Sequence, residues 1–398
     1  MIHYFNPGHE MAVLHASKHY HPPAHVVKMQ SDLAFLPAWY ASAGDFVFVE
    51  SPLPDDFMLS CKPLHLQVKP VCPEDGAANR ESLQHSAVDL WGISPQSIHF
   101  FEKWNKKYNL SLRVPLWKDE YRFLGSRFAS RELLAELLTI LPELEPDILP
   151  CFVSNLESIE PFVAQSREPL LIKSPYSSSG RGLIWLSPGN LRQPERQLLN
   201  GWLKKQKQVS IEKALDKQLD FSMQFECTAE GQTQFLGYSM FQTNAKGAYE
   251  KSSLDSQERL EQQITSFIDR KLLLQTKETA RAIIQKVITP YYIGITGIDM
   301  LIYQSGNSCH LHPCVEINLR KTMGYLAIRL TENYLHPGSQ GELMIGYNRE
   351  PLTTIQKHRQ LQKQYPLIIE NRRIRSGYFS LCPVAEATNY HAFVVIKI

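Results

Sequence analysis

A loop rich in serine and glycine, set between two apolar runs, constrains this chain more than any other feature. The stretch LLIKSPYSSSGRGLIWL covers residues 170–186, and its first apolar run ends in Lys173. The apolar runs are typical of buried strands. Small residues let the loop backbone approach a ligand, and consecutive backbone N–H groups of such a loop bind phosphate oxygens. The loop therefore predicts a phosphate-binding site, although loops of this composition also join strands that bind no ligand.

This loop differs from two better-known nucleotide-binding patterns. GxxxxGK[ST] is absent, and a strand rather than a helix is predicted to follow the loop. The N-terminal region also lacks GxGxxG, so it carries no dinucleotide fingerprint. The positive charge lies instead at the two ends of the loop, on Lys173 and Arg181.

Acidic residues on two apolar strands form a second candidate site. The runs GITGIDMLIY and CHLHPCVEINL flank Gly306-Asn307, which we predict to be a two-residue hairpin turn. Such a turn places Asp299 opposite Cys314, and we expect Asp299, Glu316 and Asn318 to converge on one face. Two carboxylates and an amide oxygen suit magnesium held together with phosphates. The alternative is a solvated strand face, but the apolar surroundings argue against it because buried carboxylates need a cation or donors.

The segment between these two sites is acidic as well. In VSIEKALDKQLDFSMQF, Glu212 ends an apolar strand and Asp220 opens the next strand after a short connection. A connection between two lobes suits a base and a ribose. Taken alone, an ordinary loop with charged residues explains this segment better.

Composition excludes several classes of protein. At 398 residues, with 43% hydrophobic and 21% charged residues, the chain fits two or three globular domains. A net charge of +2 indicates neither nucleic acid nor an anionic membrane as a partner. No apolar run approaches the ~18–20 residues of a membrane span, and the N-terminus lacks the signal-peptide pattern. Seven widely spaced cysteines without CxxC are typical of reduced thiols, so we expect a cytoplasmic protein.

Local patterns predict the order of helices and strands. IHYF, DFVFVE and LHLQVKPV read as short strands of an N-terminal α/β layer. Ser130 is predicted to cap the helix SRELLAELLTIL, and one helix is predicted over about 256–288. Residues 241–254 read as a mobile loop, and YHAFVVIKI as a packed terminal strand. Six of the first 25 residues are histidines, which we interpret as a loop-rich surface with some substrate-facing side chains rather than as a metal site.

The order of these features resembles the ATP-grasp superfamily. The matching parts are IKSPYSSSGRG, SIEKAL with Asp220, and GIDMLIY followed by VEINLRKTMG, and the resemblance covers roughly residues 117–345. It implies an α/β (α+β) ATP-grasp fold with a Rossmann-like pre-ATP-grasp domain and two ATP-binding lobes. The domains expected are an N-terminal domain over 1–118, a small lobe over 119–205, a large lobe over 206–345 and a C-terminal segment over 346–398.

The resemblance implies ATP as cofactor and assigns residues to it. Lys173 would contact the α- and β-phosphates, beneath a lid formed by Ser177, Ser178, Ser179, Gly180 and Gly182. Glu212 would accept a hydrogen bond from the adenine amine. The backbone near Lys213 and Leu215 would contact the ring edge.

Further residues are assigned to the ribose, the metal and the transferring group. Asp220 would bind the ribose, where the family often has glutamate. Asp299, Glu316 and Asn318 would hold two Mg²⁺ ions, or Mn²⁺ in their place. Arg320 would steady the transferring phosphoryl group. Arg127 stands where the family often has an early lysine; arginine keeps the charge and changes the geometry.

The reaction implied is that of a ligase. ATP phosphorylates a carboxylate, and an amine, amino-acid-like or otherwise, attacks the acyl phosphate; a homodimer is common among similar ligases. Lys246 or Lys251 would reach the γ-phosphate, or either is a solvated loop lysine. His9 and Glu10 follow a strand end, where open α/β sheets place ligands, so they would hold the acceptor amine or another polar substrate group; the alternative is a helix start with a polar first turn. Two alternatives stay open at this point: a kinase on the same scaffold, and a nucleotide-binding regulator without turnover.

Overall fold

The computed structural model describes residues 1–177, 182–244 and 247–397. Its strands β1 to β17 are Ile2–Tyr4, Phe46–Phe48, Lys69–Val71, Val88–Leu90, Cys151–Val153, Leu170–Lys173, Leu183–Leu186, Val209–Lys213, Asp216–Cys227, Thr233–Thr243, Tyr249–Leu254, Gly294–Ser305, Ser308–Asn318, Gln340–Tyr347, Ile368–Glu370, Arg373–Ser380 and Tyr390–Lys397. The helices α1 to α13 are His9–His15, Ala24–Asp32, Asp55–Cys61, Arg80–Leu83, Pro95–Tyr108, Glu120–Leu124, Arg127–Ile140, Leu156–Gln165, Gln193–Gln206, Gln257–Thr265, Arg270–Val287, Met323–Tyr334 and Pro351–Gln364. No helix in the described ranges is long and apolar enough to cross a membrane.

The chain divides into two compact units. Unit 1 contains Met1–Lys118, Glu250–Gln257 and Arg320–Ile398, and unit 2 contains Asp119–Tyr249 and Glu258–Leu319. Parallel and antiparallel strands both occur, so the predicted mixed α/β class is confirmed. The finer division into segments 1–118, 119–205, 206–345 and 346–398 stays a prediction.

Unit 1 begins with a short parallel sheet in the order β3-β2-β1-β4. Ile2 of β1 pairs with Phe46 of β2 on one side and with Val88 of β4 on the other. The chain runs from β1 outward to β3 and then returns to the opposite side of β1, so the direction of the strand order changes between β1 and β4. Open α/β sheets bind ligands at the carboxyl ends of the strands at such a switch point. The three strands predicted in this region are confirmed.

The rest of unit 1 is built around the C-terminal strand. β17 pairs with β14 and β16, and six of its eight residues are buried. Its apolar side chains join a core that includes Trp39, whose indole Nε1 donates to the Leu381 carbonyl at 2.8 Å. The prediction of a packed terminal strand is confirmed.

A buried ionic network connects the N-terminal sheet to the chain after residue 320 within unit 1. Lys321 Nζ lies 2.5 Å from Asp89 Oδ1, and His3 Nδ1 lies 2.6 Å from Asp89 Oδ2. Burial alone would raise the pKa of Asp89, but Lys321 and His3 outweigh it and lower this pKa to about 2. His3 and His9 are buried, so the interpretation of the histidine-rich N-terminus as surface is wrong for these two residues.

Unit 2 contains two antiparallel groups of strands. The smaller group has the order β5-β8-β6-β7, with its own apolar core. The larger group runs β13-β12-β9-β10. Along β9 the side chains of Phe221, Met223 and Phe225 are fully buried, and α11 packs against β9 and β10. The alternate residues of β9 therefore face the opposite side of the sheet.

Three local predictions in or next to unit 2 are wrong. The helix predicted over 256–288 is two helices, α10 and α11, because Asp269 ends the connection and caps α11 by accepting from Lys271 N at 2.7 Å. Helix α7 begins at Arg127, before the predicted cap, so Ser130 lies inside it and accepts from Ile317 N at 2.9 Å. Residues 241–254 are mostly strand, since β10 continues to Thr243 and β11 starts at Tyr249.

We predict that Lys321→Ala destabilises unit 1 by about 3 kcal/mol at pH 7, because the partly buried Asp89 carboxylate keeps its contact with His3 but loses the cation that neutralises it. The folded pKa of Asp89 lies below its unfolded value of about 3.9, so this stabilisation is present above about pH 4 and is lost as the pH falls toward 2. The difference from the wild type should shrink over the same range. Urea unfolding at pH 7, 4 and 2.5 measures it.

Arg375→Ala is the control. Arg375 pairs with Glu370 on the surface, and both side chains are more than 40% exposed, so no measurable loss is expected. Equal losses in the two variants would show that the Lys321 pair contributes no more than a surface pair.

Candidate functional site

The register of the β12–β13 hairpin brings two carboxylates face to face. Ser305 pairs with Ser308, so Gly306-Asn307 is the predicted two-residue turn. The pair Leu301–His312 and the pair Asp299–Glu316 are separated by one residue on β12 but by three residues on β13, so the register shifts between them. The three residues on β13 form a bulge that starts with Pro313, which has no N–H to donate to the ladder. Asp299 therefore lies opposite Glu316, and the prediction that it lies opposite Cys314 is wrong.

These strands form a polar face on unit 2, on the side opposite Phe221. The polar face is made of three rows of paired residues, each row running across the strands β13, β12, β9 and β10. The rows are Asn318, Gly297, Gln224 and Gly237; Glu316, Asp299, Ser222 and Ser239; and His312, Leu301, Asp220 and Phe241. Neighbouring strands are ~4.8 Å apart and successive rows about 7 Å apart. Asn318 Nδ2 donates to Asp299 Oδ2 at 3.0 Å across two of the rows.

Much of the polar face is buried in spite of its polarity. Ser222, Gln224 and His312 are each at most 2% exposed. Gln224 Nε2 donates to Ser222 Oγ at 2.8 Å. Buried polar groups are hydrogen-bonded in most native proteins, so this face is not a solvated strand face.

Lys173 and Glu212 form a buried ion pair on the smaller group of strands. Lys173 ends β6 and Glu212 lies on β8, with Nζ and Oε1 2.8 Å apart and both side chains less than 10% exposed. Burial lowers the pKa of Lys173 and the charge of Arg127 lowers it further, while Glu212 opposes both. Glu316 is also close enough to act on Lys173, so the pair belongs to the same charged cluster as the hairpin acids.

Arg127 connects the serine-glycine loop to the hairpin. Its Nη2 lies 3.0 Å from Glu316 Oε2, and its Nε donates to the Ser174 carbonyl at 3.2 Å. A third contact runs from Nη1 to the Val315 carbonyl at 3.5 Å. The guanidinium thus fixes the position of Glu316, a predicted metal ligand, relative to the start of the serine-glycine loop.

The base of the loop is closed by close packing. Ser174 N donates to the Gly182 carbonyl at 2.9 Å, and Ser177 is buried. A Cβ at Gly182 would lie 2.3 Å from both Ser174 Oγ and Ser177 Cβ, so only glycine fits here without a shift of the chain. The predicted lid residues Ser178, Ser179 and Gly180, with Arg181 and Lys246, lie outside the described residues.

Of the predicted nucleoside-binding residues, Asp220 lies on the polar face. Asp220 accepts from Thr243 Oγ1 at 3.1 Å and pairs with Lys217 at 2.5 Å; burial raises its pKa, against the opposing charge of Lys217. Leu215 lies in the connection between β8 and β9. The Lys213 side chain pairs with Asp147 at the surface, so only its backbone is suited to the predicted contact.

Two predicted catalytic residues lie in unit 1. Arg320 Nε is 2.5 Å from Glu10 Oε1. Lys251 lies in β11, where it pairs with Met344 in the ladder and its Nζ is 2.5 Å from Glu342 Oε1. The prediction that Lys251 lies on a mobile loop is wrong, and its contact with a γ-phosphate stays a prediction.

Reasoning from the sequence missed several polar residues of the polar face. Ser222 and Gln224 follow Asp220 at positions i+2 and i+4, so the period of a strand places them on the side of Asp220. Ser239 becomes visible only through the pairing of β9 with β10. His312 lies four residues before Glu316 on β13, so the same alternation along the strand places it on this side.

The donor atoms of the hairpin fit magnesium. No group of three or more His, Cys, Asp or Glu side chains suited to a metal occurs in the described ranges. The set here is two opposed carboxylates and the Asn318 amide, which are hard oxygen ligands; Mg²⁺ takes one or two carboxylates together with phosphates. A carboxylate has about four acceptor positions, so Glu316 retains capacity beside Arg127.

The parallel sheet of unit 1 and the two antiparallel groups of strands of unit 2 match the ATP-grasp fold, and comparison with solved structures confirms this fold for the chain. The ADP complex of N5-carboxyaminoimidazole ribonucleotide synthetase matches 100% of this chain and 91% of its own, with a TM-score of 0.51 and 10% identity. Biotin carboxylase from Campylobacter jejuni, in a β,γ-ATP complex, matches 100% and 87%, with a TM-score of 0.50 and 11% identity. No protein-family model matches the chain, and no curated protein matches it by sequence. At such low identity the likeness shows the fold alone.

We predict that Gly182→Ala lowers the free energy of unfolding by ~1–3 kcal/mol, the usual cost of overpacking a close contact. Gly201→Ala is the matched control, because Gly201 lies inside α9 with no atom near its potential Cβ. Alanine there should raise the free energy of unfolding by up to about 1 kcal/mol. Urea unfolding measures both variants, and a gain in stability for both would contradict the tight closure of the loop.

Proposed function

We propose that the protein is an ATP- and Mg²⁺-dependent ligase that joins a carboxylate to an amine through an acyl phosphate and releases ADP. The observation that carries the proposal is the charged cluster of unit 2, in which the opposed carboxylates Asp299 and Glu316 lie with Arg127 and Lys173. Phosphoryl transfer depends on positioning and charge neutralisation more than on a protein nucleophile. The two neighbours of the same fold, which were solved with ADP and with β,γ-ATP, add support for a nucleotide.

Each part of the cluster has a task in this proposal. Asp299, Glu316 and Asn318 would hold Mg²⁺, which neutralises phosphate charge when bound. Lys173 supplies a buried cation for the α- and β-phosphates, and Arg127 fixes the Glu316 carboxylate. Such preorganised charge is most effective where water is excluded. Covering of the phosphates by the loop that begins at Ser177 would protect the acyl phosphate from hydrolysis.

The nucleoside and the transferring group complete the assignment. Glu212, with the backbone near Lys213 and Leu215, takes the adenine, and Asp220 takes the ribose. The resemblance also assigns Arg320 to the acyl phosphate and Lys251 to the γ-phosphate. These are roles carried from the resemblance; in the free protein Glu212 pairs with Lys173 and Asp220 pairs with Lys217.

The acceptor amine is assigned to the switch point of the parallel sheet in unit 1. The loops after β1 and β4 are joined there, since Asn6 Nδ2 donates to the Gly92 carbonyl at 2.8 Å and Gly92 N donates to Asn6 Oδ1 at 3.1 Å. His9 packs against Gly92, where a Cβ would lie 2.3 Å from its ring. Glu10 lies next to it and carries the Arg320 pair.

The tautomer of His9 favours a hydrogen-bond donor as its ligand. Nε2 lies 3.2 Å from the Ile93 carbonyl, which only accepts, so Nε2 carries the proton. Burial lowers the pKa of His9 to about 4, with the Arg320 charge adding and Glu10 opposing, so the ring is neutral at pH 7. Nδ1 is therefore a buried acceptor, and it has no partner among the described residues. An amine N–H suits it, whereas an anion does not.

We predict that His9→Phe, which keeps the ring packing and removes the acceptor, raises KM for the amine about tenfold, the loss of about one hydrogen bond. KM for ATP should stay unchanged. His19→Phe, at an exposed position, is the control. Steady-state kinetics with each substrate varied in turn measures the split, and equal changes in both KM values would count against the acceptor site.

We predict that Asp299→Asn and Glu316→Gln each reduce Mg²⁺-dependent ADP formation at least 100-fold while the fold survives, because each change removes a charge and preserves the side-chain shape. Glu278→Gln is the matched control, since Glu278 lies exposed on α11. Turnover at the wild-type rate in the hairpin variants, with thermal unfolding unchanged, would remove the metal assignment.

A product screen tests the function as a whole. Purified protein is incubated with Mg-ATP and pools of amino acids and small carboxylic acids, and phosphate release and product mass are both recorded. An amide product with ADP supports the ligase. A stable phosphate ester indicates the kinase instead, which would use the same acid cluster, and hydrolysis that no candidate acceptor stimulates indicates a regulator.

A further inference from the structure

His312 is a buried polar side chain of the polar face to which the proposed function gives no task. It lies on β13, is 2% exposed, and neither Nδ1 nor Nε2 has a hydrogen-bond partner among the described residues. A buried polar group without a partner loses its hydration and gains nothing in return. The imidazole therefore weakens the free protein, and a ligand that pairs with it would remove that cost.

The register places His312 in the row that contains Asp220. It pairs with Leu301 of β12, and Leu301 pairs with Asp220 of β9, so the half-buried Leu301 side chain lies between the two polar residues. This row is one step, about 7 Å, from the row of Asp299 and Glu316. Lys173 is close enough for its charge to act on the ring, and Lys173 itself contacts Glu212. His312 is thus near the residues assigned to the nucleoside.

The charge state of the ring narrows the choice of ligand. Burial lowers the pKa of His312 to about 3, and the Lys173 charge adds to the effect, so the ring is neutral at pH 7. A neutral imidazole has one N–H donor and one acceptor nitrogen. Phosphate oxygens only accept, so they would satisfy one nitrogen and leave the other unpaired. A purine base edge carries donors and acceptors together, and its flat face suits the Leu301 side chain.

We propose that His312 is a nucleotide-contacting residue that hydrogen-bonds the base of the bound purine nucleotide, an inference that rests on the proposed nucleotide site. The contact stabilises the bound state alone, because the ring has no partner of its own to give up. His312 thereby contributes to nucleotide affinity at the expense of the stability of the free protein.

His312→Phe tests this, because phenylalanine keeps the ring and removes both nitrogens. Calorimetric titration of the full chain with ADP, and separately with adenosine, should show binding about tenfold weaker than that of the wild type for both ligands. Urea unfolding of the free variant should show stability equal to or above the wild type. His312→Gln, which keeps a donor and an acceptor, should recover part of the affinity.

His391→Phe is the matched control. His391 is also 2% exposed, but its Nε2 lies 2.8 Å from the Tyr378 hydroxyl and 3.1 Å from Ser380 Oγ. Its loss should lower stability and leave ADP affinity unchanged. If His312→Phe behaves like this control, the residue is structural and the inference fails.

The remaining outcomes are equally decisive. Weaker ADP binding with unchanged adenosine binding would mean a phosphate contact and would overturn the base contact. Unchanged binding of both ligands would overturn the inference while the nucleotide site stands. Failure of the wild type itself to bind ADP, ATP or adenosine would remove the proposed function, which is a different result.

Discussion

Compensation of buried charge is the constraint on which the rest of unit 2 depends. Glu316 lies between Val315 and Ile317 on β13 and faces Asp299 across the ladder, and its charge is compensated by Arg127 from the start of α7. The same guanidinium contacts the backbone after β6, so the cation that stabilises the carboxylate also fixes the start of the serine-glycine loop. Moving either element would leave a desolvated charge unpaired, which is strongly unfavourable.

Unit 1 applies the same principle at a different place. Lys321 stabilises Asp89 in the parallel sheet, and His3 lies between Asp89 and Asp45. This network joins the first strand of the chain to a segment more than 300 residues later. Apolar packing around Trp39 is extensive but not directional, so the ionic contacts specify which residues of the two segments meet.

The sequence was sufficient for features set by local geometry. A two-residue Gly-Asn turn between apolar runs determines a hairpin, and alternation along β9 and β13 places acids on one face. Composition around Lys173 was enough to predict the loop, and the order of motifs was enough to predict the ATP-grasp fold.

Features that depend on a partner strand or a distant residue could not be read in this way. The bulge at Pro313 changes which residue faces Asp299, and only the ladder reveals it. The Arg127–Glu316 pair spans 189 positions in the chain. Lys251 lies in a stretch whose composition is typical of a loop, and its place in β11 follows from the pairing of that strand with β14.

The bulge in β13 also restricts which insertions and deletions this part of the sequence tolerates. Because side chains alternate, removing one residue between Leu311 and Glu316 would turn the carboxylate toward the apolar side and bring Ile317 into its place. Substitutions at the Gly306-Asn307 tip alter only a turn. Related sequences should therefore vary in composition and length at the tip of this hairpin, yet show no gaps across residues 312–318.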